Sequence, residues 1–151
     1  MDKVKEIVAE IDRGEAKPLY FLMGEEPYYI DKIAQYIADN VLEEEEKGFN
    51  QMVLYGKDSN VEEIVSSAKR FPMMANHQVL IVKEAQHLSR TIENLVAYAE
   101  NPQPSTVLVL CYKYKKLDKR KKLYKTVQKK GVIFESKKLY ENQVVDWIRR
   151  T

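Results

Sequence analysis

Cysteine and histidine are scarce in this chain. The single cysteine, Cys111, excludes an intrachain disulfide and any cysteine-based metal site, and a reduced, cytoplasmic compartment follows most simply. His77 and His87 stand ten residues apart with no cysteine or third histidine beside either, so neither reads as a metal ligand. No apolar run is long enough to cross a bilayer, and Met1 to Ile7 alternate charged with apolar side chains instead of forming the core of a secretory signal. No membrane partner is therefore expected. No Ser/His/Asp or Cys/His arrangement can be argued from spacing, and there are no internal repeats.

What is present is a globular composition. At 151 residues, with 44% apolar residues and ten tyrosines, the chain is long enough to bury the core of one domain. Its net charge of +2 conceals an asymmetry. Residues 113–138 hold twelve Lys and Arg against Asp118 and Glu135, a net of +10, and the remainder carries −8. The basic segment reads as a solvated helix beside an edge strand, with a nucleic-acid or acidic-partner face as the alternative.

Hydrophobic periodicity predicts alternating helices and strands. Val4, Ile7, Val8 and Ile11 mark a short helix ended by Gly14. Pro18 to Met23 reads as a buried strand closed by Gly24, and Ile30, Ile33, Ala34, Ile37, Ala38 and Val41 line the next helix. Glu43 to Glu46 reads as a solvated helix end. A second strand spans Gln51 to Tyr55. Ser59 with Glu62 predicts a capping box for a helix through Val61, Ile64, Val65 and Ala68. A strand over Val79 to Val82 follows, then a helix through Leu88, Ile92, Leu95, Val96 and Ala99. Strands over Thr106 to Cys111 and Val132 to Phe134 enclose the basic helix, and a last helix starts at Tyr140 with Val144, Val145, Trp147 and Ile148. Five strands alternating with helices imply a parallel sheet.

In such sheets ligand chemistry sits at the carboxyl ends of the strands. After the first strand, Gly24-Glu25-Glu26-Pro27-Tyr28-Tyr29-Ile30-Asp31 offers one glycine and no lysine, where a phosphate loop needs several donors. Glu25 and Glu26 suit a helix start and repel a triphosphate. After the third strand, Lys83 takes the place of a metal-holding acid, and a cation there excludes the metal. The fourth strand ends in Cys111-Tyr112-Lys113, without a group suited to sensing a terminal phosphate. ATP hydrolysis is therefore not expected. Tyr112 and Tyr114, interleaved with Lys113, Lys115 and Lys116, could stack on bases or simply line a strand end.

The remaining feature is Phe71-Pro72-Met73-Met74-Ala75-Asn76-His77, an apolar knuckle between a helix and a buried strand. Pro72 breaks the helix and disfavours helical geometry at Phe71. Met73 and Met74 either cover the end of the sheet or fill a pocket on a partner, a task suited to flexible, polarisable methionine. Partner binding is the preferred reading.

Pro18 to Ile30, Arg70 to Glu84 and Trp147-Ile148 together resemble the N-terminal domain of the delta subunit family of bacterial DNA polymerase III. The resemblance spans essentially the whole chain and is diffuse, because that family has no catalytic signature. It implies an α/β, P-loop NTPase/AAA+-like three-layer fold with a five-stranded parallel sheet and a degenerate nucleotide site. It implies a clamp-loader subunit that binds the sliding clamp through an apolar wedge and helps open it for loading onto primed DNA during replication. The family's wedge is an adjacent apolar pair, typically leucine and phenylalanine. Here the pair falls on Met73 and Met74, with Phe71 and Pro72 beside it. No catalysis, cofactor, metal or small-molecule substrate is expected. Residues 1–138 would form the ATPase-like clamp-binding domain, and 139–151 would begin a helical lid domain. Other loader subunits would join through further domains. The alternatives are an ATP-dependent switch, and a nucleic-acid-binding module acting through Lys115, Lys116, Lys119, Arg120, Lys121 and Lys122 of the basic segment.

Overall fold

A computed structural model describes residues 2–137, so Lys138 and the helix expected from Tyr140 lie outside the described residues. Five strands, β1 Leu19–Gly24, β2 Gln51–Tyr55, β3 Gln78–Lys83, β4 Thr106–Lys113 and β5 Val132–Ser136, form one sheet. Their order is β2-β3-β4-β1-β5, and every pairing is parallel. Phe21 of β1 lies opposite Leu110 on one side and Ile133 on the other. Parallel neighbours require crossovers, which the helices supply: α1 Asp2–Asp12, α2 Pro27–Asn40, α3 Glu44–Asn50, α4 Val61–Ala68, α5 Val96–Glu100 and α6 Lys122–Lys130.

Over β1, β3 and β4 the sheet is covered on both faces, giving three layers, while edge strand β2 is partly exposed. Leu19, Phe21 and Met23 join Ile64, Leu95, Leu123 and Val127 beneath α4, α5 and α6. Tyr20 and Leu22 point the other way, into a second core with Ile7 of α1 and Ile30, Ile33 and Ile37 of α2. That strict alternation explains why β1 and β4 read as continuous apolar runs. The buried Tyr20 hydroxyl donates to Glu10 and accepts from the Lys17 N–H, both at 3.0 Å. Burial drives its pKa up.

Three local expectations are corrected. The cap of α4 is Asn60, whose side chain accepts the Glu63 N–H at 2.8 Å, not Ser59 paired with Glu62. The helix begins at Val61, so the residue just before it has the reach to the first free N–H groups. Glu43 to Glu46 do not end a helix but open α3, with the Glu46 carboxylate accepting the Glu43 N–H at 3.0 Å. The helix expected through Leu88 and Ala99 is broken into 3-10 turns at Ala85–Leu88 and Ile92–Leu95 followed by α5. Thr91 breaks the run by turning both its N–H and its hydroxyl onto the Leu88 carbonyl. Leu88, Ile92, Leu95 and Ala99 are nonetheless buried in one core. The periodicity reported burial, not the hydrogen-bond pattern.

Candidate partner-binding site

The knuckle begins where α4 ends, and three polar side chains fix its geometry. The Gln78 amide lies within hydrogen-bonding distance of the Ser67 carbonyl (3.1 Å), the Arg70 carbonyl (2.9 Å) and Thr106 Oγ1 (2.9 Å). Thr106 Oγ1 in turn donates to the Ala68 carbonyl at 2.6 Å. The last carbonyls of α4, which no helical N–H can reach, are thus satisfied from β3 and β4. Asn50, buried at the end of α3, holds the middle of the loop. Its Oδ1 accepts the Met73 N–H at 2.6 Å, and its Nδ2 donates to the Met73 and Glu46 carbonyls, each at 2.9 Å.

With both ends and the centre pinned, the apolar side chains have nowhere to retreat. Phe71 is 77% exposed, Met73 61% and Met74 99%, while Pro72 is half-buried. Met74 has φ +58°, the left-handed region, which costs an L-residue about 1–2 kcal/mol. A methionine held in that conformation with its whole side chain in water contributes nothing to this core. Strain of this kind, combined with clustered exposed apolar groups, makes the knuckle a candidate contact surface.

At the position a phosphate loop would occupy, three backbone N–H groups are already used. The Gly24 N–H donates to the Lys115 carbonyl at 2.9 Å, the Glu26 N–H to the Ser136 carbonyl at 3.5 Å, and the Tyr28 N–H to the Glu26 carboxylate at 3.1 Å. Glu26 is the cap of α2 and Pro27 its first residue, so this acid works as a helix-starting group. Gly24 has φ +122°, and a Cβ there would fall 2.2 Å from the Ser136 carbonyl oxygen. Its glycine answers to the close approach of β5. Lys83 is exposed, and the cation at the strand ends is instead Lys113, whose Nζ lies 2.9 Å from Asp31 and 3.1 Å from Glu84. Burial acts to lower the Lys113 pKa, but the hydrogen bonds and charge of the two acids raise it above 10.5 overall. Glu84 is held below its usual range, first by a hydrogen bond from Gln86 and then by Lys113. Among the described residues no group of three His, Cys, Asp or Glu side chains is gathered to hold a metal.

The basic segment is divided among a loop, α6 and β5. Lys115 bonds Ser89, Lys116 pairs with Glu135, Arg120 with Asp118 and Lys122 with Glu100. Lys119 and Lys121 are exposed and, among the described residues, make no ion pair. Tyr112 cannot stack on a base: it is buried, its ring tilted against Phe21 at 5.2 Å between centroids. Tyr114 alone of the pair is exposed, with its N–H on the Gly24 carbonyl at 2.8 Å.

Spacing alone does not reveal Asn50, Gln78 and Thr106, which build the knuckle, or Phe49, which stands exposed next to Asn50 in the chain. The polar three act from 8 to 38 residues away, so spacing carries no signal of them. Phe49 could have been flagged as a lone aromatic between Gly48 and Asn50.

The family described as DNA polymerase III, delta subunit, matches residues 20–137 of this chain. The curated DNA polymerase III subunit delta of Bacillus subtilis (strain 168) is 29% identical over 153 aligned residues, covering 95% of this chain and 44% of that protein. The solved structure of the Bacillus subtilis DNA clamp loader delta protein YqeN superposes with a TM-score of 0.77 at 29% identity, over 93% of this chain and 44% of that one. A DNA polymerase III gamma subunit-related protein of Thermotoga maritima gives a TM-score of 0.60 at 15% identity, over 99% and 48% of the two chains. RuvB of Thermotoga maritima gives 0.53 at 20%, over 89% and 43%. The last two show the fold alone, the AAA+/P-loop-like α/β architecture. The chain thus spans less than half the length of the curated relative it matches.

Proposed function

Because this chain belongs to the DNA polymerase III delta subunit family, we propose that it engages a sliding clamp through Phe71, Pro72, Met73 and Met74 and serves in a clamp loader. The observation that carries this reading is Met74, fully exposed at φ +58° on a loop whose ends and centre are tied to the sheet and to α3. A rigid loop presenting flexible apolar side chains loses little entropy on docking and fills a pocket of uneven shape. Pro72 keeps α4 from continuing into the loop, so Phe71 and the methionines project from the domain.

The chain acts here by binding energy, with no covalent step of its own. A wedge opens a ring only by binding the open form better than the closed one. The occupied N–H groups around Gly24 and the Asp31–Lys113–Glu84 cluster favour a domain whose shape is set by its own bonds in place of bound nucleotide. Assembly with further loader subunits in the cytoplasm, through parts of the protein beyond this chain, belongs to the same proposal.

The test is the double variant Met73→Ser, Met74→Ser. Clamp affinity is expected to fall by more than about 30-fold, the cost of losing central anchors, with the circular dichroism spectrum retained. Unchanged affinity would defeat the assignment. A second reading keeps DNA as a partner through exposed Lys119 and Lys121, which bind no acid among the described residues. It predicts an affinity for DNA that falls steeply with salt and is lost on reversing those charges.

A further inference from the structure

We propose that Phe49 is a second apolar anchor on the same sliding clamp, seated beside the Met73–Met74 apex; this rests on the reading of the knuckle as the clamp wedge. Phe49 is 80% exposed, and it immediately precedes Asn50, the residue bonded to both backbone groups of Met73. Phe49 is thus one residue from the side chain that clasps the Met73 backbone, and its exposed ring continues the run of exposed apolar groups at the knuckle.

The helix that carries it has no hydrophobic reason to display a phenylalanine. Asn50 is the only buried residue of α3, so the helix contributes no apolar side chain to either core. Its other outward residues are the acids Glu44 and Glu45, which solvate it, and Gly48, which has no side chain. An aromatic ring set in that polar turn, tied by Asn50 to three further exposed apolar side chains, extends one contact surface over two chain segments. Phenylalanine orders few torsions on burial, which suits it to an anchor at modest entropic cost. The clasp also fixes the spacing between the two anchors, so the clamp would have to offer a second apolar site next to the one taken by the methionines.

The test measures clamp affinity of the chain for four proteins: wild type, Phe49→Ala, Glu45→Ala and the Met73→Ser, Met74→Ser double variant. Phe49→Ala is expected to weaken binding about tenfold or more, with Glu45→Ala unchanged. The exposed position of Phe49 leaves the fold intact, which urea denaturation checks. Wild-type affinity in Phe49→Ala, together with loss in the double variant, overturns the second anchor and leaves the wedge standing. Wild-type affinity in the double variant overturns the wedge itself, and the second anchor with it.

Discussion

The side chain of Asn50 holds Met73 by both its backbone groups, accepting the N–H at 2.6 Å and donating to the carbonyl at 2.9 Å. Beyond its bond to the Glu46 carbonyl of its own helix, this buried amide spends its bonds on a surface loop. It sets the pose of the residues that follow. Asn50→Ala would leave the Met73 N–H without its partner and release the knuckle. Stability is expected to drop by about 1–3 kcal/mol in urea denaturation. Clamp affinity should fall as well, because the apex must then be ordered on docking. Asn50→Asp keeps the acceptor and loses the donor, so it should lie between the two.

Gly24 is required by packing. With φ +122° and the Ser136 carbonyl 2.2 Å from where a Cβ would stand, Gly24→Ala strains the backbone and pushes β5 off β1. The backbone alone costs about 1–3 kcal/mol, and the overlap adds to it. A thermal midpoint close to wild type in Gly24→Ala would contradict this.

The acid cluster gives a dependence on pH. Glu84 has a pKa below its ordinary 4.5 in the folded chain, so the folded state binds that proton less tightly than the unfolded state does. Its stabilising contribution is whole above the unfolded pKa and is lost as pH falls through the lower folded value. Glu84→Gln should therefore flatten the decline of stability below about pH 4.5, measured by denaturation at each pH. Lys113 works in the opposite direction, its contribution lost only as pH rises through a folded pKa above 10.5.

Cys111 lies inside β4, and burial pushes its thiol up to about 12. At pH 8 the folded chain is expected to resist thiol reagents, because both the thiolate and access are lacking. Denaturant should expose one reactive thiol per chain. Rapid labelling of the native chain would show that β4 opens locally.

The layout of this fold was legible because each strand between two helical layers must be apolar throughout. Tyr20 to Met23 and Val107 to Cys111 carry that signature in a few residues. Leu88 to Ala99 shows the limit of such reading: burial has a period, while the chain path depends on where Thr91 places its hydroxyl. At the knuckle, the exposed apolar residues were legible from Pro72 and the polar residues after them. The clasp was not, since Asn50 and Met73 meet only through the folded sheet. Lys113 between Asp31 and Glu84 was hidden for the same reason, three charges from three elements meeting at the strand ends.

The most direct measurement is calorimetric titration of the chain into the sliding clamp of the same organism, at several temperatures and two salt concentrations. A docked wedge buries apolar surface, so binding should show a negative heat-capacity change and little dependence on salt. The Met73→Ser, Met74→Ser variant should release no binding heat at any temperature. Absence of binding by the folded wild-type chain, or equal binding by the variant, would contradict the clamp wedge.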